Sequence, residues 1–326
     1  MTKDSGLQVS PSRPPTRERV GLVIDGTNAA ATVKTIAAVE AAGVRQIWIG
    51  QPPFWPDTLT TLAAAAIKTS TVRLGTSIVP TYPRHPLVMA QQALSLYDIA
   101  PSRLRLGIGP SHQAIIEGIY GLPQTTPLAH LREYVKVLRA ALWEGKVDHH
   151  GQFFNVIVTL PRTTQIPVLI STVGKKAFQL AGEIADGALS SMCPVSYLLH
   201  TGIPALRTAA AANGRSAPPL VAHVSVALSQ DRHSVMAAGH RVLDMFAKLP
   251  FYAKMFADAG FPLTAGQTSV PDGLVDSLIV SGNEATVAAR FTELLAAGLD
   301  ELMVTLVSIK DAVDEQTRLM HLIGQL

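Results

Sequence analysis

Cysteine is almost absent: the 326 residues contain one, Cys193. A single thiol excludes an internal disulfide and fits a reducing, cytoplasmic compartment, where it is expected as a buried structural group. Charge is sparse, at 16% of residues, and 27 basic against 24 acidic side chains leave a net +3 with no long basic run. Such a balance excludes the footprint of a nucleic-acid or membrane-surface binder and leaves a small molecule as the expected partner. No uninterrupted apolar stretch is long enough to cross a bilayer. Residues 1–18, rich in Pro, Ser and Thr, lack the apolar segment of a secretion signal and read as a mobile tail, with structure starting near Arg19. Catalytic constellations are missing as well: there is no carboxylate pair, no Ser/His/Asp set with a nucleophile elbow and no His-x-x-x-His pair. Asp148, His149 and His150 are neighbours on an extended segment and point to opposite faces, so no metal is expected. A chain this poor in catalysts of its own is expected to hold a cofactor that performs the chemistry.

What is present is order. From Arg19 onward, short β-rich runs alternate with Ala/Leu-rich amphipathic segments, the pattern of repeated βα units. Eight strands are expected at 20–25, 46–51, 72–79, 103–109, 166–172, 186–192, 220–228 and 301–307. Helices are expected at 28–43, 57–69, 86–100, 128–145, 175–185, 195–213 and 284–298. Eight parallel strands with intervening helices suit an α/β fold of the (β/α)8 TIM-barrel type as one domain over 19–326, with a doubly wound open sheet as the main competitor. The segment VDHHGQFFNV reads as a hairpin turning at Gly151. Residues 230–281 are too long for a plain connection and are expected to form a helical insertion. Its Met245, Phe246, Phe251, Tyr252, Met255, Phe256 and Phe261 either pack the inserted helices or roof a pocket as a lid.

In a closed barrel the ligand sits at the C-terminal strand ends. There the chain carries small residues: Gly75, Thr76 and Ser77 interrupt the third strand, and the fourth ends in Gly107, Gly109 and Pro110. These allow close approach of a ring or an unusual backbone, and equally an ordinary bulge. A dinucleotide fingerprint would need a third glycine where His112 stands, so that reading is rejected. Thr172, Val173, Gly174, Lys175 and Lys176 end the fifth strand and open a helix, whose free N–H groups make an anion site that the lysines could reinforce.

Four stretches, VRLGTSIVPTYPRHPLVMAQQALSL, SRLRLGIGPSHQ, VGKKAFQLAGEIADGALSS and SGNEATVAARFTELLAAGLDELMV, together resemble the luciferase-like monooxygenase superfamily. Within it the chain resembles the branch of F420-dependent oxidoreductases, and the third stretch is similar to methylenetetrahydromethanopterin reductases. The resemblance implies hydride exchange at a bound deazaflavin, coenzyme F420, with a small organic substrate such as an enone, alcohol or imine. Ser77 and Ile78 would press against the ring, in this branch often through a non-prolyl cis peptide. Gly109, Pro110 and Ser111 would line the cofactor channel with Gln51, and Thr172 to Lys176 would hold the tail phosphate. Tyr82, Arg84 and His85 match an element expected to anchor the third helix. The chain departs from the pattern at Gln51-Pro52, where relatives carry Asp-His, and at Pro110, where sugar-phosphate dehydrogenases carry an acid. The proton partner is then sought among His112, first, and Asp25 and Tyr82. Phe54, Trp55, Phe251 and Tyr252 are the candidate substrate contacts. An FMN-dependent monooxygenase and a non-catalytic deazaflavin-binding paralogue are the alternatives, and the resemblance implies a homodimer.

Overall fold

Short runs of Val, Ile and Leu, apolar on both faces, demand cover on both sides, and a closed parallel ring inside a jacket of helices supplies it. The computed structural model describes residues 14–263 and 269–326. Its barrel strands are β1 (Val20–Val23), β2 (Gln46–Ile49), β3 (Arg73–Thr76), β4 (Leu104–Gly109), β5 (Val168–Thr172), β6 (Gly187–Ser190), β7 (Leu220–Ala227) and β8 (Glu301–Leu306). Each pairs in parallel with its sequence neighbour, except that β8 lies between β7 and β1 to complete the ring. All eight fall inside the expected segments, and the open-sheet competitor is excluded by the closure.

Helix starts are set by side chains that replace missing backbone acceptors. Asn28 accepts from the Ala31 N–H, Asp57 from Thr60, and Asn283 from Thr286. The interior is layered. Trp48, Leu169, Leu189, Val221 and Met303 fill the middle, where Gly75 leaves space for the indole: a β-carbon there would lie 2.3 Å from Trp48 Cε3. Below them, Arg105 makes paired hydrogen bonds to Glu301 at 2.6 and 2.9 Å and donates to Gln46, plugging the N-terminal end. Polar groups return only in the layer above, at the C-terminal mouth.

The tail expected over 1–18 lies outside the described residues up to position 13. A helical turn at Thr16–Arg19 corrects the rest of it, since Glu18 reaches Arg45 and Arg73 and Arg19 donates to the carbonyls of Leu299 and Asp300. The hairpin is present as Lys146–His150 against Asn155–Thr159. The insertion contains helices Arg232–Ala247, Pro250–Asp258 and Asp272–Leu278, followed by a short strand, Ile279–Ser281, added beside β7. A final helix, Ala312–Gly324, follows β8 and had no counterpart among the expected elements. No helix among the described residues is long and apolar enough to cross a membrane.

Candidate active site

Alternation along the strands decides which side chains reach the mouth. Two residues beyond the middle layer, β2 offers Gly50, β4 Gly109, β5 Ser171, β7 His223 and β8 Thr305. The bulge after β3 closes in from the side. Ser77–Ile78 is a non-prolyl cis peptide, tied to β2 by Ser77 N–H to the Ile49 carbonyl at 2.8 Å and Gln51 N–H to the Ile78 carbonyl at 3.1 Å. Gly109 lets three strands meet: a β-carbon on it would stand 2.2 Å from Ser171 Oγ and 3.3 Å from Ile78 Cγ1. Thr76 Oγ1 both donates to the Gly107 carbonyl and accepts its N–H, which locks β3 to β4 just beneath. Ser111 takes a left-handed φ of 61°, and Gln124 donates to the Pro110 carbonyl at 2.6 Å, fixing the turn.

At the end of β5, Thr172 is fully buried and its hydroxyl has no partner. Gly174 opens helix Lys175–Ile184 without a side-chain cap, and nothing lies within 4 Å of where its β-carbon would be. Lys175 and Lys176 are exposed beside it. The sequence had not singled out Tyr197, which is buried beside the Lys175 N–H; burial above all pushes its phenol up to about 12.

The expected proton partners do not gather. Asp25 is exposed at the end of β1. Tyr82 donates its hydroxyl to the Thr125 carbonyl at 2.8 Å and stacks on His130 at 3.9 Å, while His85 Nδ1 accepts from Leu87 N–H at the start of the third helix. These bonds tie the segment to the neighbouring loop and to the start of the helix that follows. His112 is half-buried, its Nδ1 has no partner, and burial lowers its pKa. Its ring stacks on Phe251 at 5.4 Å and meets Tyr252 at 6.1 Å, so the insertion touches the β4 loop. Tyr252 is buried and donates to Ser191 Oγ at 2.8 Å, while Phe251 stays 40% exposed.

Around β2 the side chains divide. Gln51 Oε1 accepts from Thr58 N–H at 2.6 Å, so the amide organises its own loop rather than opening onto the mouth. Trp55 packs against Gly26, and Phe54 is 76% exposed. Of the neighbouring histidines and acid in the hairpin, His149 meets Glu133 and His150 contacts Asp148 and Asn155.

His223 was missed. A lone histidine within an apolar run reads as core, and only the pairing of β7 with β8 shows its Nε2 lying 2.9 Å from Thr305 Oγ1. Burial pushes its pKa down to about 4, so the ring is neutral at ordinary pH.

A profile of luciferase-like monooxygenases matches residues 12–301. An F420-dependent glucose-6-phosphate dehydrogenase of Kineococcus radiotolerans is 29% identical over 285 residues, covering 81% of this chain and 83% of that one. The solved F420-dependent tetrahydromethanopterin reductase of Methanopyrus kandleri superposes with a TM-score of 0.75 at 21% identity, covering 94% and 97% of the two chains. The oxygenating constituent of 3,6-diketocamphane monooxygenase of Pseudomonas putida, solved with FMN, gives 0.72 at 16% identity, covering 94% and 97%. At those identities the two structures speak for the barrel alone, whereas the profile covers most of the sequence. The chain belongs to the luciferase-like monooxygenase family.

Proposed function

We propose that the protein is an F420-dependent oxidoreductase that exchanges hydride between the deazaflavin and a small, uncharged organic substrate. The observation that carries this reading is the joining of two features on one rim. One is a small-residue wall where Ile78, Gly109 and Ser171 meet; the other is the open start of helix Lys175–Ile184 with the orphaned Thr172 hydroxyl beside it. A flat ring can lie against the first while a phosphate on its tail takes hydrogen bonds from the second.

Bound there, the deazaflavin supplies a two-electron hydride donor or acceptor. The chain's own residues do the rest. Ser77 and Ile78 fix one face of the ring, while Thr172, Gly174 and the helix start hold the phosphate, with Lys175 and Lys176 adding charge. His112, Phe251 and Tyr252 cover the opening and keep water from the reacting atoms. Ser171, Ser191, Thr305 and His223 line or border the mouth without a formal charge, which suits a carbonyl, alcohol or imine better than a phosphorylated sugar.

FMN could use the same wall and anion site, as a monooxygenase cofactor. Titrating purified protein with both cofactors separates the readings: tighter binding of F420 is expected, and tighter binding of FMN would reverse the assignment. A protein that binds reduced F420 yet never reoxidises it with a broad panel of acceptors would be the non-catalytic paralogue. A homodimer is part of the proposal. Exposed Ile67, Val88, Ile99 and Ile157 lie on two outer helices and the hairpin, and a monomeric mass in solution would contradict it.

A further inference from the structure

The barrel wall is incompletely sealed beside His223. Strands β6 and β7 pair only at Leu220↔Ala188 and Val221↔Leu189, and above those residues the link is a single hydrogen bond from His223 N–H to Ser190 Oγ at 3.1 Å. A cleft of about 280 Å³ occupies this place. His223, Cys193 and Val195 line it on the barrel side, and Asp276, Ser281 and Arg290 line it toward solvent. Asp276, Ser281 and Arg290 are exposed, so the cleft reaches solvent beside the short strand Ile279–Ser281.

We propose that His223 takes the substrate's hydroxyl proton and exchanges it with solvent through this lateral cleft, with Thr305 as the positioning partner of its ring. The inference rests on the F420 reading and adds to it a proton acceptor and a proton route. When an alcohol becomes a carbonyl, the bound oxidised deazaflavin would supply the acceptor for the hydride, which carries away the C–H electron pair. The O–H electrons become the second bond of C=O, the proton passes to the free ring nitrogen of His223, and the imidazolium discharges it to water in the cleft. The reverse sequence protonates a carbonyl oxygen during reduction.

Three observations converge. Thr305 fixes Nε2 at 2.9 Å, leaving Nδ1 as the ring nitrogen available to a substrate. Burial keeps the imidazole neutral, with one ring nitrogen free of a proton, and its lowered pKa means that a proton received there is given up at once to water. The groups around the route are otherwise committed: Asp276 is paired with Arg232, Arg290 with Glu293, and burial pushes the Cys193 thiol up to about 12. On the roof side the Tyr252 hydroxyl is held by Ser191, its pKa raised by burial.

The test uses the full protein with oxidised F420 bound, so that the mouth is filled. Exchange of the His223 ring N–H with water is followed by histidine-selective NMR in the wild type and in Ser281→Trp, whose indole would stopper the exposed end. Exchange is expected to slow about tenfold or more, since a relay through the cleft needs water inside it, with F420 affinity unchanged. In parallel, His223→Gln, which keeps a partner for Thr305, is expected to lose about 10²-fold or more in kcat with little change in KM. Unaltered exchange in Ser281→Trp, or full turnover in His223→Gln, would overturn the proposal. Failure of the wild type to bind F420 would instead overturn the cofactor reading beneath it.

Discussion

Gly109 and Gly174 are both glycines at strand ends, and they make opposite demands. A β-carbon at Gly109 would collide with Ser171 and crowd Ile78, whereas at Gly174 it would meet open space at an ordinary φ of −84°. Gly109→Ala is therefore expected to cost about 1–3 kcal/mol of stability through overpacking and to weaken F420 binding about tenfold or more, read by thermal melting and fluorescence titration. Gly174→Ala should leave the melting temperature alone and weaken only the phosphate-tailed cofactor. Equal, unchanged affinities in both variants would move the ring elsewhere. Tyr82 supplies a third test: Tyr82→Phe removes one hydrogen bond, to Thr125, and should cost about 1 kcal/mol while leaving kcat essentially intact. A hundredfold fall in kcat would restore it as a catalyst. The small residues of the mouth were legible because Gly and Ser interrupt apolar runs. His223 was not, since its partner lies on a strand 82 positions away and only register brings them together.

At the scale of elements, the hairpin shows how one side chain can hold a connection. Glu133, on helix Pro127–Arg139, accepts from the N–H groups of Gln152, Phe153 and Phe154 and meets His149 at 3.0 Å. Burial works to raise its pKa, but these donors outweigh it and keep the carboxylate below its usual range. The turn in turn presses Phe153 and Phe154 on His130, which stacks on Tyr82 in the segment after β3. Glu133→Ala is expected to destabilise the protein by about 1–3 kcal/mol and to lose amide-exchange protection first at 152–154; protection lost evenly over the molecule would contradict this. The hairpin itself was readable from Gly151 and its flanking extended residues, but the glutamate that caps it was not, because nothing in the spacing links position 133 to 152. The strand Ile279–Ser281 escaped notice for a different reason: three residues are too few for a period of two to register. The closing helix Ala312–Gly324 did carry a start signal, Asp311, which accepts from Val313 and Asp314 N–H groups.

For the whole molecule, the regular alternation of β-rich and Ala/Leu-rich segments pointed to eight βα units with cover on both sheet faces, but the open sheet meets the same need and was excluded only by the pairing of β8 with both β7 and β1. What alternation could not specify was the chemistry of the mouth, assembled from single residues on different strands. The same burial that neutralises the interior has a consequence for stability. His130 titrates at about 4 in the fold against an ordinary 6.5, because burial penalises its charged form despite the nearby Glu133. Between those values the unfolded chain binds the proton and the folded one does not, so this stabilisation is complete above about pH 6.5 and falls as pH drops toward 4. Urea titrations across that window should show a shallower pH slope for His130→Phe than for the wild type; identical slopes would mean that the ring is solvated.

The most direct measurement is a crystal structure of the protein with oxidised F420. The ring should lie against Ile78 and Gly109, with its tail phosphate within hydrogen-bond distance of Thr172 Oγ1 and the N–H groups that open helix Lys175–Ile184. A tail phosphate bound instead beyond β7 and β8, or a ring that leaves Ile78 and Gly109 bare, would contradict the account.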